Sequence, residues 1–304
     1  MKIVFLGNHT VGVKVLEVIS KTQEISGVVA HPQDPEDGVK YLSVYDFAVQ
    51  KGFNVIRSNS KDNVLEDFVA QAQPDLLWVT DYRYIIPSFL FEKVPLGAVN
   101  LHPSLLPKYR GRAPINWAIL NGETELGLTA HFIDEGMDSG DIIEQRRFEL
   151  LEEQNVADAL EILYPIYQEV TSTVLGHFES GQIPRKPQNH ALATSFPRRK
   201  PQDGLIDWQQ SALHIRNMVR ALAKPYPGAF TYLRQQKIMI WKARLDFGNH
   251  EAKAGEVVSL DDKKEFCVTC GKGIFRVLDF TIEPKTELNF VIRIGDILTN
   301  KPSK

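Results

Sequence analysis

The feature that most constrains this chain is the period of its apolar residues, which switches repeatedly across the first 150 positions between β-branched runs and helical spacing. Residues 2–6 are followed by 11–19, 27–30 by 41–50, 76–80 by 87–91 and 98–101 by 114–120, before a last run at 128–133. Short strands separated by amphipathic helices pair most readily in parallel, so the pattern predicts βαβ units in an α/β domain with a Rossmann-like, mostly parallel sheet. The first turn, GNHTVG, lacks the middle glycine of a dinucleotide fingerprint and the Gly-Lys-Ser/Thr of a phosphate loop. Dinucleotide binding and nucleotide hydrolysis are therefore not expected.

Beyond a long helical pattern at 156–181 the sequence IPRKPQNHALATSFPRRKPQDG is rich in proline and basic residues and has no period. This predicts a first domain over 1–185, a linker over 186–204 and a second domain over 205–304. The second domain opens with a helix started near Ser211 and stopped by Pro225 and Pro227. Short runs at 238–241, 255–260, 266–269, 273–280 and 296–298 then predict a small OB-like antiparallel β-barrel. With 43% hydrophobic residues in 304, each domain can bury a core.

The 35 basic and 38 acidic residues leave a formal charge of −3, so no global field draws the protein toward nucleic acid or an anionic membrane. The N-terminus starts in an apolar strand pattern without a basic leader, and no stretch reaches the roughly 18 apolar residues of a spanning helix. A soluble, cytoplasmic protein with no membrane partner is expected. The only cysteines, Cys267 and Cys270, form C-x-x-C within a strand pattern. Residues three apart on a strand face opposite ways, so neither a disulfide nor a metal is expected there.

The densest chemistry lies between Ala98 and Ile143. Asn100 and His102 are two apart on one strand and share a face, at the carboxyl edge where open α/β sheets bind ligands. The next strand leads into Asp134, Glu135 and Asp138, set around Gly136 and Ser139-Gly140, from which one carboxylate can reach the histidine. Acyl transfer to an amine needs a donor for the developing oxyanion, a base for the amine proton and a charge that orients that base. An asparagine, a histidine and an aspartate supply all three without a metal. On spacing alone, a structural histidine and a turn-capping asparagine remain equally open.

The block NLHPSLLPKYRGRAPINWAIL, followed by GLTAHFIDEGMDSGDII, resembles the 10-formyltetrahydrofolate-dependent formyltransferase family in its Asn-x-His, its Ser-Leu-Leu-Pro and its downstream Asp-x-Gly. GLIDWQQSALHIRNMVRAL and PYPGAFTYL are similar to the carboxyl-terminal barrel domain of that family. The resemblance implies 10-formyltetrahydrofolate as co-substrate and no metal. Asn100 would stabilise the oxyanion, His102 would be the general acid and base, and Asp138 would favour the protonated form of His102. Tyr84, Ile85, Ile86, Arg112, Asp134, Glu135, Gly136 and Met137 would contact the folate, and His9 and Arg110 the acceptor. Plainer readings stand beside these: Tyr84 to Ile86 as a packed strand-to-helix junction, Arg110 and Arg112 as a solvated loop, and His131 as a core histidine held by hydrogen bonds.

The acceptor divides such enzymes. A tRNA clamp needs basic residues, because phosphate contacts dominate affinity, yet positions 34–46 hold three Asp and one Glu against Lys40 alone. That stretch, NHTVG and DYRYIIP look more like nucleotide-sugar N-formyltransferases of the UDP-4-amino-4-deoxy-L-arabinose type. A nucleotide-linked amino sugar is therefore the expected acceptor, with no nucleic-acid partner. The alternatives are methionyl-tRNA and, with water as acceptor, hydrolysis of 10-formyltetrahydrofolate. Phe230, Tyr232 and Trp241 suit either a homodimer seam or a core.

Overall fold

The computed structural model describes residues 1–32, 41–59, 63–248, 251–284 and 290–302. Residues 34–40, which carry most of the acidic stretch at 34–46, lie outside them. The chain divides into two compact units. One comprises Met1–Pro114, Glu125–Glu149 and Leu160–Pro197, and the other Ile115–Thr124, Leu150–Ala159 and Arg198–Lys304.

The elements run β1 (Lys2–Gly7), α1 (His9–Thr22), β2 (Glu24–Ala30), α2 (Val44–Lys51), β3 (Val55–Arg57), α3 (Asn63–Ala72), β4 (Leu76–Thr80), α4 (Ser88–Glu92), β5 (Ala98–His102), β6 (Arg110–Gly111), α5 (Pro114–Leu120), β7 (Glu125–Phe132), β8 (Ile142–Glu149), α6 (Val156–Ser180) and β9 (Ser195–Phe196). Seven strands form one sheet in the order β3-β2-β1-β4-β5-β7-β8. The first five are parallel. Helix α1 presents Val11, Val15, Leu16 and Ile19 as one buried stripe. Helix α2 begins only at Val44, because Ser43 Oγ accepts the Asp46 N–H at 3.1 Å and caps it there. One face of the sheet buries Val4, Leu6, Val29, Leu77 and Val79 with Leu65, Phe68 and Val69 of α3 and Leu90 and Phe91 of α4.

The parallel alternation expected through 133 stops at β5. Strand β7 pairs with β5 antiparallel, and β8 with β7 likewise. Parallel entry needs a crossover helix lying on the sheet; here residues 115–120 of α5 belong to the second unit. Residues 186–196, expected as linker, are tied into the first unit. Lys186 pairs with Ile142, and β9 pairs with β6.

In the second unit α7 (Ala212–Leu222) starts at Ser211, whose Oγ accepts the His214 N–H at 3.2 Å. An antiparallel sheet follows, with β10 (Ala229–Leu233), β11 (Gln236–Asp246), β12 (Val257–Leu260), β13 (Phe266–Thr269) and β14 (Ile274–Glu283) in the order β10-β11-β14-β13-β12. The run expected at 296–298 joins the two edges. Thr299 exchanges backbone hydrogen bonds with Tyr232 at 2.8 and 2.9 Å, while Val257 N–H donates to Asp296 O at 2.9 Å and Leu298 N–H to Gly255 O at 2.8 Å. The barrel is thereby closed. Phe230 is buried, with Tyr232 and Trp241 half-buried. Cys267 and Cys270 are free thiols, and burial pushes Cys270 up to about 12.

No helix among the described residues is long and apolar enough to cross a membrane.

Candidate active site

The antiparallel register of β5 and β7 sets Asn100 directly opposite His131, and His102 opposite Thr129. Opposed residues share a face, so the four side chains lie together. Asn100 Nδ2 and His131 Nε2 are 3.2 Å apart, and His131 Nδ1 lies 2.7 Å from the Phe132 carbonyl. Burial pushes the His131 imidazole well below its ordinary value, and His102 adds to that, against the upward pull of Asp138 and Asp134. His131 is neutral at physiological pH.

His102, 5% exposed, donates from Nε2 to the Tyr109 carbonyl at 2.8 Å. Its Nδ1 faces Asp138 Oδ2 at 3.6 Å, while Asp138 Oδ1 stands 3.7 Å from His131 Nε2. One carboxylate thus sits between two imidazoles, hydrogen-bonded to neither. Its firm bond is to backbone: Gly111 N–H donates to Oδ2 at 2.8 Å. Gly111 has φ +91°, and a Cβ there would lie 2.5 Å from the Phe196 carbonyl, so only glycine brings that N–H close enough.

The loop after β5 is anchored from beneath. Thr129 Oγ1 donates to Ser104 O at 2.6 Å and accepts from Leu106 N and Gln145 Nε2. Tyr109 N–H donates to Thr194 Oγ1 at 2.9 Å, and its ring stacks on Phe196. The carbonyl that receives His102 is held by these contacts.

The loop of Asp138 is braced by a residue outside the sequence motifs. Gln188, 6% exposed, donates from Nε2 to the carbonyls of Asp138 at 2.9 Å and Gly140 at 2.8 Å. Its Oε1 accepts from Arg110 at 2.6 Å. Arg110 is turned inward, 8% exposed, with His190 Nδ1 3.2 Å away. Arg112, two residues on, is exposed and donates to the Arg83 carbonyl.

The other sequence-selected residues separate. Asp134 Oδ1 accepts from Ser139 Oγ at 2.6 Å and Gly136 N at 3.1 Å, closing an exposed turn that presents Glu135 and Met137 to solvent. Ile86 enters the core cluster, Ile85 is 81% exposed, and Tyr84 packs edge-on to His31. His9, at the first turn of α1, meets Asp81 Oδ2 at 2.6 Å and lies against the Tyr41 ring. A recess of about 340 Å³ opens beside the start of β5 and the end of β7, lined among others by Phe91, Val94, Ala98, Ile133 and Arg185.

Three of the residues expected to do chemistry, Asn100, His102 and Asp138, therefore come together, with His131 added. The sequence favoured His131 as a hydrogen-bonded core residue over one facing Asp138, and the missing signal was the antiparallel pairing that places it against Asn100. Nothing in the aperiodic stretch around Gln188 marked it.

Known proteins resemble this chain along nearly its whole length. Residues 1–163 match the formyl transferase family and 198–291 the formyl transferase C-terminal domain. A methionyl-tRNA formyltransferase from Ruminiclostridium cellulolyticum is 34% identical over 309 residues, covering 99% of each chain. Among solved structures, an N-formyltransferase from Helicobacter canadensis in complex with folinic acid and dTDP-3-aminofucose superposes with a TM-score of 0.69 at 21% identity, covering 92% of this chain and all of that one. A 4-N formyltransferase from Francisella tularensis gives 0.61 at 20% identity, over 75% of this chain and 91% of its own. A two-unit α/β and barrel chain matched by the family along both units and centred on an Asn, His and Asp cluster belongs to the formyl transferase family of enzymes.

Proposed function

We propose that this enzyme transfers the formyl group of 10-formyltetrahydrofolate to the primary amine of a nucleotide-linked amino sugar. The observation that carries the chemistry is the meeting of Asn100, His102 and Asp138 at the carboxyl edge of β5. Asn100 donates an amide N–H to the formyl oxygen as the amine attacks. His102, whose Nε2 hydrogen is committed to Tyr109, takes the amine proton on Nδ1, and the imidazolium then faces the Asp138 carboxylate. The new C–N bond forms, the bond from the formyl carbon to the folate nitrogen breaks, and His102 returns the proton to that nitrogen.

The exposed turn of Asp134, Glu135, Gly136 and Met137, with Arg112 and the backbone of Tyr84, Ile85 and Ile86, is assigned to the folate. His9 is assigned to the acceptor. It stands in the first turn of α1, which carries no acidic residue, so the helix N-terminus there favours an anionic group such as a diphosphate.

The acidic balance at 34–46 and the net charge of −3 favour a small nucleotide sugar over tRNA. The 34% identity to a methionyl-tRNA formyltransferase supports methionyl-tRNA as the second reading. Mass spectrometry of reactions with 10-formyltetrahydrofolate and a panel of UDP-, dTDP- and GDP-linked amino sugars, methionyl-tRNA and an acceptor-free control separates the two. One formyl mass gained on one nucleotide sugar is expected; formylation of methionyl-tRNA alone overturns the acceptor, and formate release without any acceptor makes the protein a hydrolase.

A further inference from the structure

We infer that His131 is a positioning residue for formyl transfer: through a hydrogen bond it accepts from Asn100, it fixes which end of that amide meets the formyl oxygen. The inference rests on the role proposed above for Asn100 and adds a residue to the same site.

The argument is one of donors and acceptors. The Phe132 carbonyl can only accept, so at 2.7 Å the His131 Nδ1 must carry a hydrogen. A neutral imidazole has one N–H, which leaves a lone pair on Nε2. The group 3.2 Å away on Asn100 must then be the nitrogen of the amide and not its oxygen. Either way round, an asparagine amide looks alike to its neighbours in shape, and hydrogen bonding alone sets it. With one amide hydrogen on His131, the second remains for the formyl oxygen, and Oδ1 lies at the far end, where it does not repel the developing oxyanion.

Both conditions on His131 are built in. Its ring is 2% exposed on a central strand, and its tautomer is set by the chain's own next carbonyl. The charged groups that face it are Asp138 at 3.7 Å, His102 with ring centroids 6.4 Å away, and Asp134. Burial outweighs the two carboxylates and keeps the ring neutral. A doubly protonated ring would set N–H against N–H and turn the amide over.

The test uses the full-length enzyme. In His131→Ala we expect kcat to fall roughly 10- to 100-fold, with KM for 10-formyltetrahydrofolate within about twofold of wild type. His131→Gln, which can offer Oε1 to the same amide, should recover most of the loss. In a double-mutant cycle the loss from His131→Ala should vanish on the Asn100→Ala background. Nitrogen-15 NMR of the wild-type protein should report His131 as the Nδ1–H tautomer. Wild-type kcat in His131→Ala, additive losses in the cycle, or an Nε2–H tautomer would each overturn the inference while leaving Asn100 in its role. Wild-type turnover in Asn100→Ala would overturn the underlying reading instead. Should His131→Ala fail to fold, the tautomer and the Gln variant still decide.

Discussion

Two carboxylates, one in each unit, face basic side chains, one fully hydrogen-bonded and the other left open. In the barrel, Asp246 accepts from Arg276 Nε at 2.6 Å, Cys267 Sγ at 3.2 Å and Phe247 N at 2.7 Å. Burial pushes it up, but the hydrogen bonds from Arg276 and Cys267 prevail and bring it to about 2. In the first unit, on the loop after β7, Asp138 has one backbone bond and stands 3.6 and 3.7 Å from two imidazoles. The first carboxylate is saturated and has nothing left to offer a proton carrier. The second is held in place while its charge stays available, so it can respond when His102 gains a proton. A filled ion pair is architecture; an unfilled one, rigidly placed, is the arrangement that chemistry requires.

That contrast breaks most directly at the open end. His102→Asn should lower transfer by about 10³-fold or more with folate affinity near wild type, as judged by steady-state rates and equilibrium binding. Wild-type-like turnover would remove His102 from the centre. In the same assays Asp138→Asn should lower kcat by about 10²-fold with folate affinity near wild type, because the proton that His102 gains no longer faces a carboxylate.

The brace comes next. Gln188→Leu leaves the carbonyls of Asp138 and Gly140 and the Arg110 guanidinium without their partner, and we expect kcat to drop about tenfold while the folate KM holds. An unchanged kcat would show that the loop needs no support from that side.

Asp246→Asn should affect transfer least and leave kcat at wild type. Its effect is on stability, about 1–2 kcal/mol at pH 7 by thermal or urea unfolding. The sign follows from the depressed value. The contribution is complete above the ordinary carboxylate range, near pH 4, and is lost as pH falls toward 2, because the unfolded chain takes up the proton first. Wild-type and variant melting temperatures should therefore converge in acid. A gap that persists at pH 2 would mean that packing, not charge, makes the difference.

The strands and helices were largely legible because each is periodic over its own length: β4 and β13 run over 76–80 and 266–269 as the pattern predicts. The direction of β7 was not, since alternation fixes the faces of a strand and leaves its orientation open. That one bit of information separates His131 as a packed residue from His131 as the partner of Asn100. Arg110 and Arg112 illustrate another limit. They lie two apart in a run too short to show a period, and one turns inward while the other faces solvent. Gln188 needed the tertiary path of a proline-rich segment that carries no pattern at all. Asn100 and His102 were legible as a pair because two residues on one short strand share a face whatever the strand's direction.

The seam of the barrel has a consequence for how the protein is made. A ribosome releases β10 and β12 well before residues 295–299, so during synthesis the second unit passes through a stage with two open strand edges. For that interval the nascent chain exposes backbone donors and acceptors that any neighbouring strand can take, until residues 295–299 emerge and act as a stopper.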